Sequence, residues 1–158
     1  MYTANTQKGI SLVEVVIATS LLLGITLGVL GAYSFFIRTA FDNTSTLKAT
    51  LLLEEEGELI RFFRDVGWAS YIDTLNPGTP YYFMNNGSTW EIVSTPIYTD
   101  GFERRFYVSP IYRDAFDDIA STGTLDPDTV EVTIEVLYSR RTATTTRTAT
   151  LLLSNLFE

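Results

Sequence analysis

The side chains able to do chemistry in this chain are nearly all carboxylates. Its 158 residues include no histidine and no cysteine. That removes the commonest general base and metal ligand, the thiolate nucleophile, the thiolate zinc site and any disulfide framework. No Gly-rich phosphate loop and no H-E-x-x-H or G-x-S-x-G pattern occurs. No pair of acids stands apart as a glycosidase pair would. The residues therefore point away from an enzyme. Among the acids, Glu14 is the most informative, because it heads a segment, Val15 to Ile37, that carries no charge. A carboxylate in hydrocarbon costs a few kcal/mol or more, which marks such a position as functional by default, although an interfacial acid that snorkels or protonates is the plainer reading.

Two further groups of acids are candidates. Asp114, Asp117, Asp118, Asp126 and Asp128 fall in one loop-forming region. An oxygen-only cluster suits calcium, but the spacing matches no EF-hand loop. Calcium is the one ion to consider, and no other metal or cofactor is expected. The run Glu54-Glu55-Glu56-Gly57-Glu58 places its acids around a helix rather than at one point, so it reads as a solvated face.

The elements that must position these residues follow from hydropathy and periodicity. As a helix, Val15 to Ile37 would extend about 35 Å, enough to cross the roughly 30 Å hydrocarbon core of a bilayer. A cleaved secretory signal would have a shorter apolar run and a small-residue cut site at its far end, which this segment lacks. Gly24, Gly28, Gly31 and Ala32 set small residues along one side, a spacing that lets helices approach closely in membranes. Ordinary glycine enrichment in membrane helices is the alternative. Lys8 precedes the span, and an acidic chain follows Arg38, which favours a cytoplasmic N-terminus and a C-terminal domain outside. The net charge is −8, and beyond Arg38 lie all of the 19 acids except Glu14 and all of the 11 basic residues except Lys8 and Arg38. Such a surface repels a nucleic-acid backbone, so no direct nucleic-acid binding is expected.

The leader ending in Lys8-Gly9, followed by Ile10-Ser11-Leu12-Val13-Glu14 and the long apolar segment, resembles the processing site of type IV prepilins, a family that includes the pseudopilins of type II secretion and of competence systems. The resemblance implies a leader, residues 1–9, that a membrane prepilin peptidase removes between Gly9 and Ile10, with methylation of the new amine. It also implies that Glu14 is the assembly carboxylate, pairing with the N-terminal amine of a neighbouring subunit. A buried charge is tolerable when a partner supplies its opposite. The family usually has Phe as first mature residue, where this chain has Ile10; other apolar residues are accepted there. The stretch from Leu53 to Arg61, followed by Arg64-Asp65 and Trp68, also looks like a helix segment common in minor subunits of that family.

The resemblance thus implies a structural protein, a minor pilin or pseudopilin of a type IV pilus-like or type II secretion filament. Its partners would be other pilin subunits in a homo- or hetero-polymer, the prepilin peptidase, an inner-membrane platform with its ATPase, and the lipid bilayer. It would sit as a single-pass protein in the cell membrane before entering an extracellular or periplasmic filament. The alternative is a membrane-anchored extracytoplasmic binding domain that does not polymerise.

Beyond Arg38 the helical spacing continues through Leu52, Leu59, Phe63 and Val66, with Arg61 and Asp65 placed to pair. Gly67 ends the helix, and a break near Asp42-Asn43 is an option because both residues favour caps. Val130, Val132, Ile134, Val136 and Tyr138 alternate with polar residues, as does Phe102 to Tyr112, with Phe106 and Val108 on one side. Trp90 to Val93 is a shorter strand, and Thr142 to Leu153 is the hairpin partner of Val130 to Tyr138. Asn76-Pro77-Gly78, Asn85-Asn86-Gly87 and Asp126-Pro127-Asp128 supply turns. The expectation is an α+β fold: a long N-terminal helix (10–38 apolar, 39–68 its second half) packed against an antiparallel sheet of about four strands in residues 69–158.

Overall fold

The computed structural model describes residues 11–140 and 143–156. Its elements are α1 (Leu12–Val66), α2 (Trp68–Tyr71), β1 (Tyr82–Asn85), β2 (Trp90–Val93), β3 (Tyr98–Thr99), β4 (Phe102–Arg113), β5 (Ile119–Ala120), β6 (Thr124–Arg140) and β7 (Ala143–Ser154). The fold is α+β, as the alternation of a 3.6-residue and a two-residue period requires. Two compact units divide the chain, one through Asn43 and one from Thr44. Helix α1 is continuous across Asp42-Asn43, so no break occurs there. The weak cap preference of two residues does not overcome cooperative propagation through their helix-forming neighbours.

In the first unit the large apolar side chains from Leu12 to Phe36 are exposed. Several hydroxyls in this helix turn back on their own backbone. Thr19 Oγ1 donates to the Val15 carbonyl at 2.9 Å, Ser20 Oγ to Val16 at 2.7 Å and Thr26 Oγ1 to Leu22 at 2.8 Å. These polar groups are thereby satisfied within the helix, as an apolar medium demands. The helix is long and apolar enough to cross a membrane.

In the second unit the rest of α1 packs on a sheet ordered β3-β4-β6-β7, with β5 pairing the far end of β4; β1 and β2 form a separate hairpin. The buried face of the helix is Ala49, Glu56, Gly57, Ile60 and Phe63. Leu52 and Leu59 are half-buried, but Val66, expected on the same stripe, is 52% exposed. Arg61 pairs with Glu58 (2.6 Å) and Arg64 with Asp65 (2.7 Å), rather than Arg61 with Asp65. Val132, Ile134, Val136 and Tyr138 of β6 are buried, as are Phe102, Phe106 and Val108 of β4. Phe83 bridges the layers, stacking on Phe63 (5.4 Å between ring centroids) and on Phe106 (4.8 Å). Gly57 lies against Ile134 and Leu151, where a long side chain would lift the helix from the sheet.

The β6–β7 hairpin pairs Val130 with Leu153 and Ile134 with Ala149 without a register shift. Asn76-Pro77-Gly78 forms a turn, with Gly78 at φ 75° and Thr79 N–H on the Asn76 carbonyl, and Asn85-Asn86-Gly87 opens the β1–β2 connection. Asp126-Pro127-Asp128 does not reverse the chain. It lies inside β6, where Pro110 pairs with Val130 but Ile111 pairs with Asp126, leaving an extra bulge on β6. Proline lacks the ladder N–H and is accommodated at such bulges. The local turn chemistry survives as an Asp126 Oδ1 bond to the Asp128 N–H at 3.0 Å.

Phe106 is fully buried at the centre of the aromatic stack, so Phe106→Ala should destabilise the full-length protein by about 3–5 kcal/mol. Phe116→Ser, at a side chain 86% exposed, should change stability by less than about 0.5 kcal/mol. Denaturant unfolding in detergent checks both; equal effects would contradict the core described here.

Candidate functional site

Glu14 occupies the first turn of α1. Its backbone N–H and that of Val15 both donate to the Ser11 carbonyl, at 3.0 and 3.2 Å, just ahead of the first helical residue, Leu12. A carboxylate here faces the positive end of the helix dipole. Around it Ser11, Val13, Ile17, Ala18 and Leu21 form a shallow apolar concavity of about 380 Å³. Among the described residues no cation pairs with Glu14, and the next charge along the helix is Arg38. Gly9 and Ile10, the expected processing residues, lie outside the described residues. Gly24, Gly28 and Gly31 have open space where a Cβ would stand, so close approach of another helix is sterically allowed.

The five aspartates do not surround a common point. Arg113 takes the middle: its Nε donates to Asp126 Oδ2 at 2.7 Å and stands 3.6 Å from Asp117 Oδ1, while its Nη1 donates to the Asp117 carbonyl at 2.9 Å. This guanidinium holds the Asp126 carboxyl below the usual carboxylate range. Asp114 Oδ1 accepts the N–H groups of Phe116 and Asp118, and Asp128 Oδ1 meets the Asn155 amide. Gly123 closes the arrangement, its Cα so near the Arg113 carbonyl that any side chain would collide with it. Among the described residues no three acids are grouped to hold a metal ion. The calcium reading of Asp114, Asp117, Asp118, Asp126 and Asp128 gives way to a loop clasped by an arginine. The cluster was legible as acids; the pairing of Arg113 with Asp126, thirteen residues away in sequence, was not.

The acidic run on α1 is also not uniformly solvated. Glu54, Glu55 and Glu58 are exposed, but Glu56 is fully buried. Its position follows from phase: Glu56 lies seven residues after Ala49, four before Ile60 and seven before Phe63, on the face those residues define. Arg104 meets it from β4, in step with the inward-facing Phe102 and Phe106. The Arg104 Nε is 3.3 Å from Glu56 Oε1 and its Nη1 is 3.1 Å from Glu55 Oε2. One guanidinium thus serves two carboxylates, and neither Glu56 oxygen has a hydrogen-bond partner among the described residues. Burial pushes the Glu56 carboxyl up to about 7; Arg104 opposes that rise and Glu55 adds to it. An Arg on the inward phase of a strand and a Glu on the inward phase of a helix were the available sequence signals for this pair.

A groove of about 870 Å³ runs between the end of α1, α2 and the β1–β2 hairpin, lined by Phe62, Val66, Tyr71, Tyr81, Trp90 and Glu91 among others. Its size and aromatic lining are those of small-ligand sites, and sequence periodicity gave no signal for it. Comparison of the chain with protein-family models, curated proteins and solved structures found no match.

The Glu56 carboxyl rises from an ordinary 4.5 to about 7 in the folded chain. The folded state therefore binds this proton more tightly, and the associated stability is complete below pH 4.5 and lost as pH rises to 7. Glu56→Gln should gain stability relative to the parent across that window, by at most about 3 kcal/mol. Melting curves of both full-length proteins from pH 4 to 8 check this; a difference constant with pH would contradict it.

Proposed function

We propose that this chain is a structural subunit of a type IV pilus-like or type II secretion filament, a minor pilin or pseudopilin assembled through its N-terminal helix. The observation that carries the reading is Glu14: a carboxylate without a cationic partner among the described residues, in the first turn of a helix whose apolar surface is open to lipid or to other helices. A peptidase cut between Gly9 and Ile10 would create an amine four residues ahead of it. In a polymer the amine paired with Glu14 would come from the neighbour, where the pairing also fixes axial register. A buried ion pair of this kind specifies arrangement more than it adds stability.

The proposed topology has a cytoplasmic N-terminus and an extracytoplasmic head, with peptidase, platform protein and ATPase as the machinery acting on it. The head's aromatic groove is the feature that favours the second reading, a membrane-anchored binding domain that stays monomeric. The two readings diverge at Glu14. Glu14→Ala should leave processing intact and reduce incorporation into filaments at least about tenfold, the size of effect expected when one buried charge loses its partner; a simple anchor would be indifferent to it.

Mass spectrometry of the chain co-expressed with a prepilin peptidase should find Ile10 as the first residue, carrying a methyl group. A mature chain still starting at Met1, or one cut after Ala32, would overturn the reading.

A further inference from the structure

We propose that β7 is a docking edge for β7 of a second copy, the two strands pairing antiparallel about a two-fold axis. The two sides of the main sheet differ. The β4 side is covered along its length. Thr99 and Tyr98 pair with Phe102 and Glu103, Tyr81 exchanges both backbone bonds with Phe106 at 2.9 Å, the Gly78 N–H reaches the Val108 carbonyl, and β5 pairs with Tyr112 and Arg113. The β7 side has no neighbouring strand among the described residues. It presents Ala143–Ser154, paired to β6 without a bulge.

Edge strands are usually kept from self-association by charges, proline, bulges or short length. This strand has none of these except Arg147: Ala143-Thr144-Thr145-Thr146-Arg147-Thr148-Ala149-Thr150-Leu151-Leu152-Leu153-Ser154 holds no proline, no glycine and no acid.

The occupant follows from the same asymmetry and from charge. Because the β4 edge is covered, a second copy cannot continue the sheet head to tail by laying β4 against β7. The long strand edge it can offer is its own β7, and a contact of one patch with itself is two-fold symmetric. The rest of the chain beyond Arg38 is strongly acidic, so two copies repel over most of their surfaces. Along β7 no acid opposes approach, and the exposed Thr144, Thr146, Thr148 and Thr150 would form the cross-strand threonine pairs that antiparallel sheets favour. The single cation sets a limit on register: the axis lies away from Arg147, so that the two guanidiniums are not directly opposed. This inference does not rest on the filament reading, since it uses no residue of the apolar helix.

The absence of cysteine from the chain makes the test direct. Single-cysteine variants Thr144→Cys, Thr146→Cys, Thr148→Cys, Thr150→Cys and Leu152→Cys, each full-length in detergent micelles, are oxidised and the disulfide-linked dimer is measured. Strands paired about an axis bring a residue near its own copy only close to that axis, so the yield should peak at one position and fall on both sides. Ser109→Cys, on the covered strand β4, should give background yield. Adding Arg147-like charge through Ala149→Lys should lower the peak up to about fivefold. The profile should persist in a Glu14→Ala background, which separates this contact from helix assembly. A flat profile, or yields no greater than that of Ser109→Cys, would overturn the proposal, as would a disulfide formed with a different polypeptide.

Discussion

A carboxylate at the start of a helix whose next charge is Arg38 constrains what the apolar segment of α1 can do. In water the segment would expose large apolar side chains from Leu12 to Phe36; in lipid it would carry an acid without a partner. Protonation, snorkelling to the interface and pairing with a cation from another chain are the physical exits. The proposed filament reading is the one in which the acid has a use beyond being tolerated. The hydroxyls of Thr19, Ser20 and Thr26 are bonded to their own helix backbone, whereas Glu14 has no cationic partner among the described residues.

The same helix obeys a second rule beyond Thr44. There its apolar residues narrow to a stripe, and the sheet supplies the other half of the core through the inward faces of β4 and β6. Glu56 and Arg104 are the polar exception on that interface. Burial, a shared guanidinium and the lack of hydrogen bonds to Glu56 make the pair costly at neutral pH. Such a pair is weak evidence for stability. What it does fix is phase: Arg104 can reach Glu55 and Glu56 only when this face of the helix lies over β4.

Much of the head was legible because its long strands alternate cleanly. Val132 to Tyr138 and Phe102 to Val108 face the core as their two-residue period requires, and the β6–β7 pairing follows. Other features depended on contacts distant in sequence. Asp126-Pro127-Asp128 has turn composition, but strand pairing on both sides holds it in β6 as a bulge. Asp100-Gly101, with φ of 52° and 83°, is a two-residue hairpin turn of the Asp-Gly type that went unread because β3 is only two residues long. The acids of α1 read as one solvated run because composition hides phase. The aspartates of the β5 region stood as calcium candidates on composition alone, which hides the arginine that reaches into them. In each case residue type was visible and geometry was not.

The account's central claim is most directly tested by solid-state NMR of the assembled polymer, with the Glu14 carboxyl carbon and the Ile10 nitrogen isotopically labelled in separate, mixed populations of subunits. The prediction is an ionised carboxylate with a through-space contact to the amine of a different subunit, at roughly ion-pair distance of 4 Å or less. A protonated Glu14, or a carboxylate with no such intersubunit contact, would contradict it.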